Sequence, residues 1–334
     1  MSVSTPFLIP DHLVVKVIGI GSAGIRAVDY MCQHGLEYIE CGFIDNDLAS
    51  LSALPYRHLF PIPFKEDPQC FEVLGASDTK GWLHKVSKDA RSAFETIKSK
   101  LDAFLNNTDL LIVVSPQGGQ TGGLFAPIVT QHARKKAIHT VLLSSQPAHT
   151  DWHASLLASA TQTLLDPNTV DAYHMPSLEA FTDRDTQHLN TEAANAKLFE
   201  DLQNTLTLLE PRAQLRLDMD TFRTIFANGQ PITIESGSCP ICKPNAIRHA
   251  LYQLGRAPYD HKRWIPDTAV LYFLGDPAIT FGELTEAIRC ADLPCLSQAL
   301  PMLGFFCSPV YQGEARFVMI TTYQKTNKAP IRND

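Results

Sequence analysis

Two apolar runs, residues 13–20 (LVVKVIGI) and 109–114 (DLLIVV), each lead straight into a glycine-rich turn: GIGSAG at 19–24 and SPQGGQTGGL at 115–124. Short, nearly unbroken, β-branched runs are strands buried on both faces, the kind found in parallel sheets covered by helices. Helical spacing follows each turn, at 25–33 and at 125–137. A glycine turn lets the backbone approach a ligand, and the helix behind it offers free N–H groups and the positive end of its dipole. Two such turns at neighbouring strand ends surround a di- or triphosphate from both sides.

Residues 39–44 (IECGFI) read as a second strand ending at Asp45-Asn46-Asp47. Strand, turn, helix and strand in that order imply parallel strands joined by a right-handed crossover. Residues 52–81, rich in Pro, Gly and polar side chains, read as long loops. Ala90, Phe94, Ile97, Leu101 and Leu105 share one face of an expected helix over 89–105, and 140–143 (TVLL) is the next strand. The first half is therefore a doubly wound α/β domain. Residues 190–209 form one long expected helix, with Ala194, Leu198, Leu202, Leu206 and Leu209 in register, stopped by Pro211. Beyond it the pattern is that of a smaller α+β domain, with strands at 268–274 and 315–322 and helices near 218–228, 244–255 and 282–291. The expected division is a nucleotide-binding domain over 1–185, a central helix over 186–213 and a C-terminal domain over 214–334.

Alone, Gly19-Ile20-Gly21-Ser22-Ala23-Gly24 matches the dinucleotide fingerprint, with Asp45 or Asp47 available for a ribose, so a nicotinamide or flavin oxidoreductase competes. A plainer reading has small residues packing a helix on its strand. The second turn favours a different phosphate site, because a dinucleotide enzyme has no need of Gly118-Gly119-Gln120-Thr121-Gly122-Gly123 after a later strand. A Walker loop is excluded, since no Gly-Lys-Ser/Thr follows.

The 334 residues carry a net charge of −7, the wrong sign for a nucleic-acid partner. The one tight basic cluster, Arg134 to Lys136, reads as a solvated helix end. No apolar run approaches the roughly 18 residues a membrane span needs, and the N-terminus lacks the basic start and cleavage site of a signal peptide. The expected location is the cytoplasm. The cysteines are Cys32, Cys41, Cys70, Cys239, Cys242, Cys290, Cys295 and Cys307. Cys239 and Cys242 have metal-ligand or redox spacing, and Cys290 with Cys295 would complete a four-thiolate set, but no knuckle glycines frame either pair. Buried, inert thiols are the better reading, and no metal site is assigned.

The chain resembles FtsZ and, more distantly, tubulin. VVKVIGIGSAGIRAVDYM (14–31) is similar to the first FtsZ glycine loop, FIDNDLASL (43–51) to its A-N-T-D-x-x-A-L segment, and DLLIVVSPQGGQTGGLFAPIV (109–129) to the tubulin-superfamily box G-G-G-T-G-T-G with its trailing A-P-V-V. EAANAKL (192–198) is similar to the central FtsZ helix, RLDMDTFRTIFANG (216–229) to its catalytic loop, and IESGS (234–238) to a later strand end. The segments keep family order and spacing across residues 14–323.

The resemblance implies an FtsZ/tubulin-like α/β fold with a GTPase-type domain, a central helix and an activation-type domain. GTP or GDP is the implied nucleotide, with Mg2+ as the accompanying ion. It also implies head-to-tail filaments in which the next subunit's loop supplies acidic residues that orient the attacking water. Carried over residue by residue, the nucleotide-binding positions are Gly21, Ser22, Ala23, Gly24, Arg26, Asp47, Gly118, Gly119, Gln120, Thr121, Gly122, Gly123, Asp151 and Asn195.

Departures from the family pattern weaken the implied hydrolysis. Ser22, Ala23 and Ile25 replace glycines, and Arg26 replaces Asn; its charge either holds phosphates or fills the pocket. Gln120 replaces the third glycine of the second loop, where a side chain restricts positive φ and is expected to crowd the phosphates. Gly123 and Leu124 replace a threonine and the last glycine. The ribose-contacting Glu and its Arg align with Asp151 and Ser155. In the catalytic loop Arg216 replaces Asn, Asp218 is retained and Thr221 stands for the second Asp, beside Asp220. Asp218 and Asp220 are the candidate catalytic pair, or else ordinary helix N-terminal carboxylates.

The expectation is a filament-forming guanine nucleotide-binding protein with weak or no GTPase activity. The alternative is a non-polymerising pseudo-GTPase that scaffolds a membrane-associated partner. The sequence ends at Asp334, without the linker and C-terminal peptide of FtsZ proper, which reads as a divergent paralogue reaching membranes through a partner protein if at all.

Overall fold

The computed structural model describes residues 8–36, 38–75, 79–183, 186, 188–241, 246–254, 264–291 and 299–325. The chain divides into two compact units. One comprises Asp11–Leu202 with Phe226–Gly229; the other comprises Met1–Pro10, Gln203–Ile225 and Gln230–Asp334.

The first unit is built on strands β1 (Val15–Ile20), β2 (Glu40–Asp45), β3 (His58–Pro61), β4 (Leu110–Val114), β5 (His139–Leu143) and β6 (Ala172–His174). They are all parallel, in the order β3-β2-β1-β4-β5-β6. Its helices are α1 (Gly21–Gln33), α2 (Leu48–Ser52), α3 (Cys70–Gly75), α4 (Thr79–Phe104), α5 (Gln120–Arg134) and α6 (Trp152–Gln162); α7 (Thr191–Thr207) runs from this unit into the other. Every residue of β4 is fully buried, as a strand covered on both faces must be. Each buried Leu, Ile or Val of this strand and of β1 contributes roughly 1.5–3 kcal/mol to the drive to fold.

The helices differ from expectation where local pattern is short or misleading. Residues 52–81 are not loop throughout. They contain β3, an edge strand with only Phe60 buried, and α3, so neither carries a pattern long enough to register. Helix α4 starts ten residues earlier than expected, because Trp82 and Val86 extend the buried stripe of Ala90, Phe94, Ile97 and Leu101. Helix α5 begins inside the second glycine stretch and carries Pro127 within it. Arg134 and Lys136 at its end are not free in solvent: Arg134 Nε lies 2.7 Å from Asp171, and Lys136 Nζ 2.9 Å from Asp102. Helix α6 and strand β6 were not anticipated.

The second unit contains α8 (Met219–Ile225), α9 (Ala246–Gln253) and α10 (Phe281–Ala291), with strands β7 (Gln230–Pro240), β8 (Trp264–Gly275), β9 (Leu300–Cys307) and β10 (Glu314–Lys325). Its strand order is β7-β10-β8-β9, with β10 antiparallel to both neighbours and β8 parallel to β9. Phe273, Phe305 and Phe317 centre its core, the first two stacked at 5.3 Å. Among the described residues no helix is long and apolar enough to cross a membrane.

Candidate functional site

In the first unit the winding reverses between β1 and β4: β2 and β3 lie to one side, β5 and β6 to the other. Parallel sheets of this kind take ligands in the crevice outside the carboxyl ends of the strands at such a switch point. Strand β1 ends at Ile20 and β4 at Val114, so both glycine turns open onto that crevice. The turns nearly touch, since a methyl group placed on Gly21 would lie 3.0 Å from the Gly122 nitrogen.

The helices behind these turns start without side-chain caps. Helix α1 is preceded by Ile20 and α5 by Gly119, and neither cap position supplies a side-chain acceptor. By contrast, Asp47 caps α2 through Ala49 and Ser50, and Asp151 caps α6 through Ala154. An uncapped first turn leaves N–H groups and the positive dipole end for a ligand. The glycines divide by role. Gly21 (φ 73°) and Gly118 (φ 111°) hold left-handed backbone that other residues resist. A methyl group on Gly24 would lie 2.4 Å from Val114 O, and one on Gly122 2.8 Å from Ser115 Oγ, so these allow close packing. Gly123 likewise makes room for Thr161. Gly119 is exposed and faces open space.

Polar side chains tie the turns to their surroundings. Ser22 Oγ donates to Asp45 Oδ2 at 3.0 Å, and Asp45, buried at the end of β2, accepts the Asn46 N–H at 2.7 Å. Thr121 Oγ1 has Asn46 Oδ1 at 3.3 Å and Glu66 Oε1 at 2.9 Å, and Glu66 also accepts the Thr121 N–H at 3.3 Å. A carboxylate therefore sits on the first turn of α5, where the resemblance implies phosphate. Gln120 does not crowd the turn. It is the first residue of α5, where no positive φ is needed, and its amide is turned away to exchange hydrogen bonds with the Asp67 backbone at 2.8 and 2.9 Å. Trp82 Nε1 donates to Asp67 Oδ2 and completes the anchoring of this segment. Sequence reasoning missed Glu66 and Asp67. They lie in a polar, proline-rich stretch with no periodicity, and only the fold brings them to α5.

The remaining carried-over positions are spread around the crevice unit. Arg26 is exposed on the second turn of α1, and no ion pair among the described residues engages it. Ala23 lies on the first turn of the same helix. Asn195 is half-buried on α7, with no hydrogen-bond partner for its amide among the described residues. Behind it, Asp201 is fully buried between Lys197 Nζ at 2.6 Å and His174 Nε2 at 3.3 Å. Burial opposes the Lys197 charge, but Asp201 and Glu200 outweigh it and hold its pKa above the ordinary value.

Asp218 and Asp220 belong to the other unit. Asp218 accepts the Thr221 N–H at 2.7 Å at the start of α8, and the Thr221 hydroxyl first, then this N–H and the nearby Arg216 charge, hold its carboxyl below the usual range. Asp220 pairs with Arg223 at 3.4 Å. Both make the local contacts of carboxylates at a helix N-terminus.

Among the described residues no group of three His, Cys, Asp or Glu side chains is placed to hold a metal ion. Cys242 and Cys295 lie outside the described residues, as does the Cys290 side chain. A magnesium ion riding on phosphates needs only one or two protein oxygens, and Asp45, Glu66 and Thr121 Oγ1 are of that chemistry. A separate groove of about 660 Å3 runs along α4, lined by Lys80, His84, Lys88, Arg91 and Leu164 among others, and none of the glycine-turn residues reaches it.

The chain matches no protein-family model. It is 32% identical over 133 residues to the cell division protein FtsZ of Aquifex aeolicus, covering 40% of this chain and 33% of that one. Against FtsZ of Buchnera aphidicola subsp. Baizongia pistaciae it is 29% identical over 143 residues, 42% of this chain and 34% of that one. The match thus spans about a third of the length of these curated relatives. The fold similarity extends much further. An FtsZ dimer from M. jannaschii superposes with a TM-score of 0.71 at 14% identity, covering 96% of this chain and 95% of that one. The chain has the FtsZ fold, and its sequence is similar to FtsZ over about 40% of its length. The similarity of this FtsZ-like chain extends to CetZ2 from Haloferax volcanii in a GTPγS-bound protofilament, with a TM-score of 0.68, 15% identity, and coverage of 94% and 95%. It also reaches phage c-st TubZ of Clostridium botulinum, with a TM-score of 0.60, 14% identity, and coverage of 93% and 92%.

Proposed function

We propose that this FtsZ-like chain binds GTP or GDP in the crevice between β1 and β4 and assembles head to tail into cytoskeletal filaments, with weak or no GTPase activity. One observation carries the reading: α1 and α5 both open, without side-chain caps, directly behind adjacent strands at the point where the winding reverses. Phosphates placed there meet the N–H groups of both first turns, competing with Glu66 for that of Thr121, while Asn195 offers an amide with no partner among the described residues to a base. CetZ2 in its GTPγS-bound protofilament shares the fold and supports the choice of nucleotide and of assembly.

Weak hydrolysis follows from the acidic groups. Asp218 is engaged in capping α8, and Thr221 carries no carboxylate to help position water. Reactions that depend on an oriented water lose orders of magnitude without it. The same observation favours a second reading, a nucleotide-bound scaffold that does not polymerise and acts through a partner, in the cytoplasm or at a membrane.

The test is to identify the nucleotide that co-purifies, then to sediment the protein with GTP, GDP and no nucleotide while measuring phosphate release. Guanine nucleotide in the pellet and GTP-dependent sedimentation support filaments. A monomer under every condition supports the scaffold, and bound NAD overturns both.

A further inference from the structure

Away from the crevice, at the far end of α1, two thiols face each other. Cys32 lies in the last turn of α1 and Cys41 in β2, and their sulfurs are 3.5 Å apart. Both are free cysteines; Cys41 is buried, whereas Cys32 is partly exposed. The Cys41 thiol also has the Ile39 carbonyl 3.4 Å away as an acceptor. The Tyr56 hydroxyl, which donates to Asp29 at 2.7 Å, neighbours Cys32 as well.

We infer that Cys32 and Cys41 form a redox-active dithiol in which Cys32 is the attacking thiol and Cys41 the resolving one, closing to an intramolecular disulfide on reaction with a low-molecular-weight disulfide. Thiol–disulfide exchange needs a thiolate that the oxidant can reach and a second thiol within bonding range. Cys32 meets the first condition. The adjacent Cys41 sulfur and, to a lesser extent, the Tyr56 hydroxyl lower its pKa, against burial and the Asp29 charge. Cys41 meets only the second. Its interaction with Cys32 comes first, then burial and the charge of Glu40, and all three raise its pKa, so it remains a protonated thiol until Cys32 has reacted. Bringing the sulfurs to a bond of about 2 Å takes a movement within the reach of side-chain rotation.

The steps balance. The Cys32 thiolate attacks one sulfur of the oxidant RSSR, forming a Cys32–SR bond, breaking the S–S bond and expelling RS−. Cys41 then yields its proton to solvent or to that RS− and attacks the Cys32 sulfur. The protein disulfide forms and the second RS− leaves to be protonated. Two protein thiols are oxidised, and one RSSR is reduced to two RSH.

The disulfide ties the end of α1 to β2 across a short loop, so the oxidised protein is expected to melt a few degrees higher. The test treats the folded full-length chain with oxidised glutathione, then maps its peptides without reduction. A Cys32–Cys41 linked peptide, lighter by two hydrogens and reversed by dithiothreitol, is the expected result. Cys41→Ser is expected to stall as a glutathione adduct on Cys32, whereas Cys32→Ser leaves Cys41 unmodified. An unmodified Cys32 in the folded wild type, or a Cys32 linked elsewhere, overturns the inference. The wild-type map decides by itself if either variant fails to fold.

Discussion

Gly119 and Glu66 are the residues at which the crevice is most directly open to test. Gly119 has extended backbone (φ −111°), and a Cβ there meets nothing within 4 Å. A Gly119→Leu chain is therefore expected to fold, losing about 1 kcal/mol at the helix cap, while its side chain fills the space where phosphates are proposed. Fluorescent-nucleotide titration should show at least a tenfold loss of affinity with little change in urea midpoint; unchanged affinity would remove the nucleotide from this crevice. Glu66 holds the Thr121 N–H and hydroxyl by an exposed carboxylate, and a nucleotide phosphate must compete with it. Glu66→Gln is expected to tighten binding by up to about fivefold, the equivalent of about 1 kcal/mol for an exposed contact. Weaker binding in that variant, restored by raising Mg2+, would mean that Glu66 holds the ion instead. Neither role is visible in the string. Asp67 and Gln120 are 53 positions apart in the sequence with no period to link them, and Gln120 looks like an obstruction until its amide is seen to bond Asp67.

At the scale of elements, a strand buried on both faces is the easiest to recognise, because its whole sequence must be apolar, and β1, β2, β4 and β5 lie within one or two residues of expectation. Helix α7 follows for a similar reason: its leucines recur along one face and Pro211 ends the run. Elements that borrow their stability from neighbours are not legible. β3 and β6 are short, and α6 starts at a cap, Asp151, that the resemblance marked as a ribose contact. Helix α7 also carries a buried charge that sequence reading passed over. Asp201 has no exposed surface and faces both Lys197 and His174. Asp201→Asn should cost about 2 kcal/mol, since it leaves the half-buried Lys197 ammonium with only the more exposed Glu200, at 3.6 Å, as counter-charge, and urea unfolding monitored by circular dichroism measures it. A loss under 1 kcal/mol would show that the cluster is well solvated.

For the whole molecule, acid stability follows from carboxylates held below their ordinary range. Burial pushes Glu210 up, but Arg212 at 2.7 Å and the Leu8 and Arg212 N–H groups pull it down further, and Asp102 is lowered in the same way by Lys136 and His132. A carboxyl with a depressed folded pKa stabilises above its unfolded value, and that stability is lost as pH falls through the folded one. The urea midpoint should therefore drop below about pH 4, and Glu210→Gln should weaken that dependence while lowering stability at neutral pH by about 1–2 kcal/mol. A wild-type midpoint that stays flat through this range would discount both groups. By itself the sequence determined the parallel α/β core, the two glycine turns and their order along the chain, because periodicity and glycine placement are local properties with local physical causes. Only the tertiary structure decided what surrounds those turns. The Cys32–Cys41 pair, Glu66 on α5 and the capping use of Asp47, Asp151 and Asp218 all arise where side chains meet partners through folded backbone. Which partner a polar group finds depends on a distance in space that sequence separation does not encode.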